Sequence, residues 1–372
     1  MEISKNEEAE SVKVKLNTLV LQALMDKAIK GASQNKMIPL TSLLEIELKE
    51  GVLTLTTTDA TNTLKVFARE IKGDDFRVVV PVDLFHKLVS KVTTEHITLE
   101  LKENSLEVVG NGTYQLDLLL DEDGTLVKFP EYEFKEKGEP TKLKPETVKT
   151  LLTSNKAALA QTMENPALTG YYFGDQVITS DTFKICGQAE QVFKKPTLLP
   201  GELVHLLSLC GDSEIDIYRD GQQLLFKAGN IIIHGWELDL LGEFPVEAIS
   251  NYLNQDFPSM CKINRKSFME ALDRLALFVS PYDRNGVYLT FTDKGLQITS
   301  KQKNSSELLS YKESKNFKDF VCYVDILMLD DQVSAQTGED LELWYGHETA
   351  LKMVSGKVTQ IVALLLDEEG AV

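Results

Sequence analysis

ITLELKENSLEVVGNGTYQLDLLL, which runs from Ile97 to Leu120, is the most informative part of this chain because its pattern occurs three times. Apolar and polar residues alternate along it, and two turn sequences, KENS and VGNG, interrupt the alternation. Alternation with a period of two predicts half-buried strands, and short turns between such strands predict antiparallel pairing. The segment therefore predicts three antiparallel strands joined by two tight turns.

Two further segments, Ile215–Leu238 and Leu341–Leu366, have the same pattern. The glycines of the second turn, Gly110, Gly229 and Gly356, are 119 and 127 residues apart. This spacing is that of a whole domain and is too long for one unit of a solenoid. The sequence therefore predicts three tandem domains of one fold.

The start of each predicted domain repeats as well, as a short strand followed by a helix. Lys15-Leu16, Lys142-Leu143 and Lys262-Ile263 mark equivalent strand positions. A pair of strands, a second helix and the three-strand segment then follow, so we expect an α+β fold. We predict a disordered lead at 1–11, domain 1 at 12–130, domain 2 at 138–256 and domain 3 at 259–372.

Composition and motifs exclude several functional classes for this chain. The chain of 372 residues has 43% hydrophobic residues, no membrane-length apolar run and a polar, acidic start, so we expect a cytoplasmic protein. Its four cysteines form no CxxC pair and predict reduced thiols in or near a core. We find no P-loop, no catalytic triad and no metal-ligand spacing, and we interpret Asp121-Glu122-Asp123 as a solvated loop. The sequence thus predicts a scaffold rather than an enzyme, without a metal or a cofactor.

The net charge is −18, which by itself argues against nucleic acid as a partner. Net charge does not decide the matter, however, because cations and anions can be segregated on different faces of one protein.

Five further segments are informative together: KMIPLTSLL (36–44), LTGYYF (168–173), ITSDTFKI (178–185), GEFPVEAI (242–249) and NGVYLTFTDKGLQITS (285–300). As a set they resemble the bacterial DNA sliding clamp family, the β subunit of DNA polymerase III. Their order and spacing carry the resemblance, which covers roughly residues 12–366. The sequence departs from the family pattern at three places, because Thr182–Ile185 replaces Gly-His-Arg-Leu, Val246–Ile249 replaces Asp-Tyr-Arg-Arg, and the C-terminus is acidic.

The resemblance implies three tandem domains of the DNA-clamp fold, with helices inside and antiparallel sheets outside. It also implies a head-to-tail homodimer that closes into a ring around double-stranded DNA without reading its sequence. Such a clamp is a processivity factor that tethers the DNA polymerase III α subunit, a clamp loader and other proteins with clamp-binding motifs. It has no membrane partner.

The resemblance also implies three sets of site residues. DNA-facing cations are expected at Lys27, Lys30, Lys87, Lys91, Lys149, Lys156, Lys266 and Arg274. A partner-peptide pocket between domains 2 and 3 is expected at Leu168, Ser180, Thr182, Lys184, Ile185, Pro245, Ile249, Ile361, Val362, Leu364 and Leu365. A dimer interface is expected at Tyr114, Leu116, Phe278 and Val279.

One alternative from a different functional class remains open at this point. A three-domain adaptor that never contacts DNA would also fit the net charge and the altered pocket segments. The distribution of charge on the helices distinguishes the two hypotheses, because a clamp needs cations there and an adaptor does not.

Overall fold

The computed structural model describes residues 12–33, 37–119, 125, 127–129 and 131–366. The lead, the Asp121–Asp123 loop and the acidic residues 367–372 lie outside the described residues. Within the described chain, one order of elements repeats three times: a strand, a helix, a group of four or five strands, a second helix and three strands. The prediction of a tandem repeat is therefore confirmed, with more strands between the helices than the predicted pair.

The elements of the first repeat are β1 (Val12–Asn17), α1 (Thr18–Ala28), β2 (Leu43–Lys49), β3 (Val52–Thr58), β4 (Thr63–Ala68), β5 (Phe76–Pro81), α2 (Val82–Val89), β6 (His96–Leu101), β7 (Ser105–Val109) and β8 (Thr113–Asp117). Those of the second are β9 (Thr141–Leu143), α3 (Pro145–Thr150), β10 (Gly170–Phe173), β11 (Val177–Ser180), β12 (Lys184–Gln188), β13 (Thr197–Pro200), α4 (Gly201–Leu206), β14 (Ile215–Asp220), β15 (Gln223–Ala228) and β16 (Ile231–Trp236).

Helix α5 (Val246–Asn254) follows the second repeat. The third repeat comprises β17 (Ser259–Asn264), α6 (Arg265–Leu275), β18 (Gly286–Thr292), β19 (Gly295–Ser300), β20 (Ser306–Leu309), β21 (Glu313–Lys315), β22 (Phe320–Asp325), α7 (Ile326–Ser334), β23 (Asp340–Tyr345), β24 (Ala350–Ser355) and β25 (Val358–Ala363). Short 3₁₀ turns lie at Ile29–Gly31, Pro39–Ser42, Pro166–Thr169, Leu207–Cys210, Leu241–Glu243, Ala276–Phe278 and Pro281–Asp283, and a π-helical turn lies at Leu151–Asn155.

The chain divides into two compact units. Unit 1 contains Met1–Pro145 and Leu206–Trp236, and unit 2 contains Glu146–His205 and Glu237–Val372. The residue boundaries predicted for the three domains remain a prediction.

Unit 1 contains two antiparallel sheets. One has eight strands in the order β5-β2-β3-β4-β16-β15-β14-β9, and the other has four in the order β1-β6-β7-β8. Leu21, Leu24 and Met25 of α1 are buried, and the side chain of Asn17 accepts hydrogen bonds from the amides that open this helix. The apolar face and the cap explain why the helix begins directly after β1.

Unit 2 contains a nine-stranded sheet, β13-β10-β11-β12-β25-β24-β23-β17-β21, and a four-stranded sheet, β20-β19-β18-β22. Helices α6 and α7 are packed against each other, with Phe268 and Leu329 in one buried core. Asn264 and Asp325 cap the two helices through their side-chain oxygens. The π-helical turn, by contrast, interrupts the helix of the second repeat directly after α3.

All four cysteines are free and buried, which confirms the prediction of reduced core thiols. Burial raises the pKa of Cys210 to about 11 and the pKa values of Cys261 and Cys322 to about 12. The thiols are therefore protonated at neutral pH and act as small apolar side chains.

Candidate functional site

The cations predicted to face DNA in unit 1 lie on or just after α1 and α2. Lys30, Lys87 and Lys91 are exposed, and within the described residues no carboxylate lies within ion-pair distance of them. Lys27 is half-buried, and its Nζ donates to Asn230 Oδ1 at 3.1 Å. The two helices are in contact, and His86 Nε2 lies 2.9 Å from Asp26 Oδ1 across them. This helix pair therefore presents at least three cations to solvent.

The predicted cations of unit 2 fall into two classes. Lys149 and Lys156 are exposed on either side of the π-helical turn, with no ion pair among the described residues. Lys266 lies 3.8 Å from Glu270 on the same helix. The side chain of Arg274 is 57% exposed, and it donates to both carboxylate oxygens of Glu307, at 2.8 and 2.7 Å.

Acidic side chains accompany the paired cations of unit 2. The hydrogen bond from Arg274 lowers the pKa of Glu307, so this carboxylate stays charged and neutralises the arginine. Burial, and then the charges of Asp273 and Asp331, raise the pKa of Asp330 on α7. Lys266 and Arg274 on α6 are consequently accompanied by carboxylates, whereas Lys30, Lys87 and Lys91 of unit 1 have no ion pair among the described residues.

Four of the predicted pocket residues meet in one hydrophobic cluster in unit 2. Leu168, Ile185, Ile249 and Ile361 are all buried there, and we call the whole hydrophobic cluster the anchor cluster. Val362 and Leu364 belong instead to the core built around α6 and α7, and Leu365 N donates to Tyr323 O at 2.8 Å. The structure thus separates the predicted apolar set into two groups.

The sequence analysis missed several members of the same cluster. Phe244, Leu253 and Phe257 are buried in it. Both phenylalanines precede a proline, and that repeated Phe-Pro pair was a usable signal. The sequence analysis did not predict the helix that lies between the two pairs.

Ser180, Thr182 and Lys184 form a tight turn between β11 and β12. Asp181 Oδ1 accepts hydrogen bonds from the amides of Phe183 and Lys184, at 3.0 and 2.7 Å, and Ser180 Oγ accepts one from Thr182 N at 3.1 Å. Thr182 has a φ of +80°. A β-branched residue rarely adopts this conformation, so the turn is strained where the resembling family has glycine.

The turn also places a cation at the edge of the anchor cluster. Lys184 Nζ lies 3.5 Å from Asp181 and 3.3 Å from Asp331, and its own side chain is 11% exposed. Pro245 is exposed and immediately precedes α5. These residues therefore lie around the buried aliphatic residues and are not members of the anchor cluster.

Lys352 holds the C-terminal end of α5. Its Nζ donates to the carbonyl oxygens of Leu253 and Gln255, at 3.0 and 3.3 Å, and burial lowers its pKa. A cation at this end also interacts favourably with the helix dipole. The position of Ile249 on the anchor cluster thus depends on a β24 lysine that the sequence analysis did not single out.

The predicted interface residues lie near two sheet edges. Tyr114 is 41% exposed on β8, which pairs with β7 and with no other described strand, whereas Leu116 is buried. Phe278 is half exposed after α6, and Val279 packs against the core. Strand β20 is the matching edge of unit 2, and its exposed Leu308 was not predicted.

Comparison with known proteins agrees with this arrangement. The family model described as "DNA polymerase III beta subunit, N-terminal domain" matches residues 12–127. The beta sliding clamps of Staphylococcus epidermidis and Staphylococcus aureus are 21% and 22% identical in an alignment 321 positions long, which covers 79% of this chain and 81% of theirs. The structure of the Bacillus subtilis DNA polymerase sliding clamp superposes with a TM-score of 0.84 at 16% identity, covering 96% of this chain and all of that one.

The structural superposition establishes the DNA-clamp fold, as the resemblance implied. Among the described residues, no helix has the length and apolar character required to cross a bilayer. In sequence and in fold, the chain is similar to the bacterial β sliding clamps, from which it has diverged.

Proposed function

We propose that two copies of this sliding clamp close head to tail into a ring around duplex DNA. The observation that carries this proposal is a rule of strand pairing between repeats. In unit 1, β4 of the first repeat pairs with β16, the last strand of the second repeat. In unit 2, β12 of the second repeat pairs with β25, the last strand of the third.

By the same rule, two strands, one in each unit, have no partner from another repeat among the described residues. The strand of the third repeat equivalent to β4 and β12 is β20, and the last strand of the first repeat is β8. Each is the outer strand of a four-stranded sheet in its own unit. An outer strand presents unpaired amides and carbonyls that favour pairing with another chain. Two copies would satisfy both edges by pairing β20 of each with β8 of the other.

Exposed apolar side chains support this contact. Tyr114 lies on β8, Leu308 lies on β20, and Phe278 follows the helix against which β20 packs. Leu116 is already buried within one chain, so we assign it the role of supporting β8 from within. The aromatic and aliphatic side chains at the edges would then be buried only in the closed ring.

The charge distribution fits a protein that stays on DNA by enclosing it. Phosphate contacts supply sequence-independent attraction, and each one releases counterions. The exposed Lys30, Lys87, Lys91, Lys149 and Lys156 are the cations that we assign to this role. A ring needs only modest attraction because enclosure prevents dissociation, which reconciles these few lysines with a net charge of −18.

We assign partner binding to the anchor cluster and the turn beside it. A partner segment would insert apolar residues over Leu168, Ile185, Ile249 and Ile361, next to Lys184. The partners expected from the family are the DNA polymerase III α subunit, a clamp loader and other proteins with clamp-binding motifs, in the cytoplasm. The adaptor alternative is not favoured, because the curated relatives are sliding clamps.

Sedimentation of edge variants tests ring closure. Leu308→Asp and Phe278→Asp place a carboxylate on the proposed contact, and we expect each to convert the dimer into a monomer at micromolar concentration. Met163→Asp is the matched control, because Met163 is also an exposed apolar residue of unit 2 but lies on neither edge. A dimer that survives both edge substitutions contradicts the proposal.

A further inference from the structure

A groove runs along α5, next to the buried residues of this helix. Its volume is about 660 Å³, and Val246, Ser250 and Asn254, spaced four residues apart, form one wall. The other wall contains Asp175 from the β10–β11 turn and Glu190 after β12. All of these residues belong to unit 2, and this volume is within the usual range for ligand sites.

The groove is continuous with the anchor cluster. Ile178 lines the groove and is a buried member of the cluster. Tyr172 and Val246 also line it and pack against the cluster, and the Tyr172 ring stacks on Phe244 with centroids 5.0 Å apart. An extended segment seated over the cluster could therefore continue along α5 without leaving the surface.

The charge of the groove selects its occupant. Asp175 is exposed, and within the described chain no cation lies within ion-pair distance of it. Among the described residues, Glu190 forms its ion pair with Lys357, at 3.3 Å, and that lysine is 71% exposed. The other side chains of the walls are uncharged, so the lining itself carries two carboxylates and no cation. Lys194 and Lys195 line an adjoining hollow that shares Asp175 with the groove. Burial raises the pKa of Tyr172, and the charge of Asp175 adds to that rise.

We propose that this groove binds the basic flank of the partner segment whose apolar residues the anchor cluster takes. The partner is thus an extended peptide with arginine or lysine next to its apolar anchor. The inference rests on the proposed role of the anchor cluster, and it adds a requirement on partner sequence that the cluster alone does not impose. Lys357 acts as a removable counter-ion, because an incoming cation competes with it for Glu190.

Two peptides distinguish the groove from the cluster. Both carry one polymerase-derived clamp-binding sequence, flanked in one case by two arginines and in the other by two glutamines. Calorimetry with the full chain at low salt should show at least tenfold tighter binding of the arginine peptide. In the double variant Asp175→Asn/Glu190→Gln that preference should fall below twofold, while affinity for the glutamine peptide stays within twofold of the native value.

Further variants make the result specific. Asp293→Asn removes an exposed carboxylate from the β18–β19 turn and should keep the native preference. Lys357→Gln should strengthen binding of the arginine peptide, because it frees Glu190. An unchanged preference in the double variant would overturn the groove assignment while leaving the cluster in place. Failure of the native chain to bind either peptide would overturn both.

Discussion

The helix pair α1–α2 of unit 1 and the helix pair α6–α7 of unit 2 occupy equivalent places in the repeat but differ in their electrostatics. Lys30, Lys87 and Lys91 of unit 1 are exposed and unpaired within the described residues. Lys266 and Arg274 of α6 are paired with Glu270 and Glu307. Repetition of a fold therefore does not repeat its charge, and we expect the proposed attraction for DNA to differ between the two helix pairs.

The difference has a local cause. Glu270 stands one helical turn after Lys266, a spacing that brings the two side chains together. Glu307 lies on β20, whose contact with α6 brings its carboxylate to Arg274. Each ion pair leaves less positive potential for a phosphate, although a surface pair of this kind adds little to stability. Three predictions test and refine the comparison.

Removal of the free lysines should have the largest effect. We expect Lys30→Gln/Lys87→Gln to weaken binding to a short duplex by about tenfold or more, and to reduce the slope of log affinity against log salt by about 2. Lys266→Gln/Arg274→Gln should weaken it less than about threefold, because these cations are already neutralised. Fluorescence anisotropy across a salt series measures both quantities. Equal losses for the two double variants would remove the distinction between the helix pairs.

A turn of the same form occurs in both units, and we expect a substitution in the turn of unit 2 to have the next largest effect. Asp59 and Asp181 each accept two amide hydrogen bonds in turns of the same form. The residue that follows is Ala60 at a φ of +83° in unit 1 and Thr182 at +80° in unit 2. Thr182→Gly should raise the free energy of unfolding by about 1 kcal/mol, since release of strain exceeds the entropy that glycine adds to the unfolded chain.

The alanine of unit 1 provides the control for this prediction. Ala60→Gly should stabilise by less, about 0.5 kcal/mol or below, because alanine is not β-branched and tolerates positive φ better. Urea denaturation of both variants measures the difference. A gain for Ala60→Gly at least as large as that for Thr182→Gly would contradict the assignment of strain to the branched side chain.

The smallest effect concerns the acidic face of α7. Because the pKa of Asp330 is raised, the folded protein binds a proton at this carboxylate at a higher pH than the unfolded chain does. Stability should therefore fall as pH rises from the unfolded to the folded pKa, and the loss should persist above that range. We expect Asp330→Asn to stabilise by up to about 0.5 kcal/mol at neutral pH and to have no effect once Asp330 is protonated.

Thermal denaturation at pH 7 and at pH 3.5 provides the measurement. Asp293→Asn is the matched control, because this exposed carboxylate belongs to a turn of the same unit and should show no such dependence. A gain from Asp330→Asn that is equal at the two pH values would show that the side chain acts by packing rather than by charge.

Much of the fold could be predicted because it depends on local pattern. Alternating residues predicted the closing strands at Ile97–Leu120, Ile215–Leu238 and Leu341–Leu366, and their spacing predicted three repeats. The buried cysteines could be predicted in the same way. Helix α5 was not predicted, because it is short and lies between the repeats, where no counterpart in another repeat marks it.

The sequence alone determined the repeated order of strand, helix, strands, helix and three closing strands, because period and turn residues act over a few positions and leave a readable pattern. Only the tertiary structure decided which strands join across repeats, which lysines stay free, and that Thr182 must adopt a positive φ. Those properties arise where distant segments meet, as β4 meets β16 and α6 meets β20. Pairing across such separations depends on the packing of the whole chain, and no local periodicity records it.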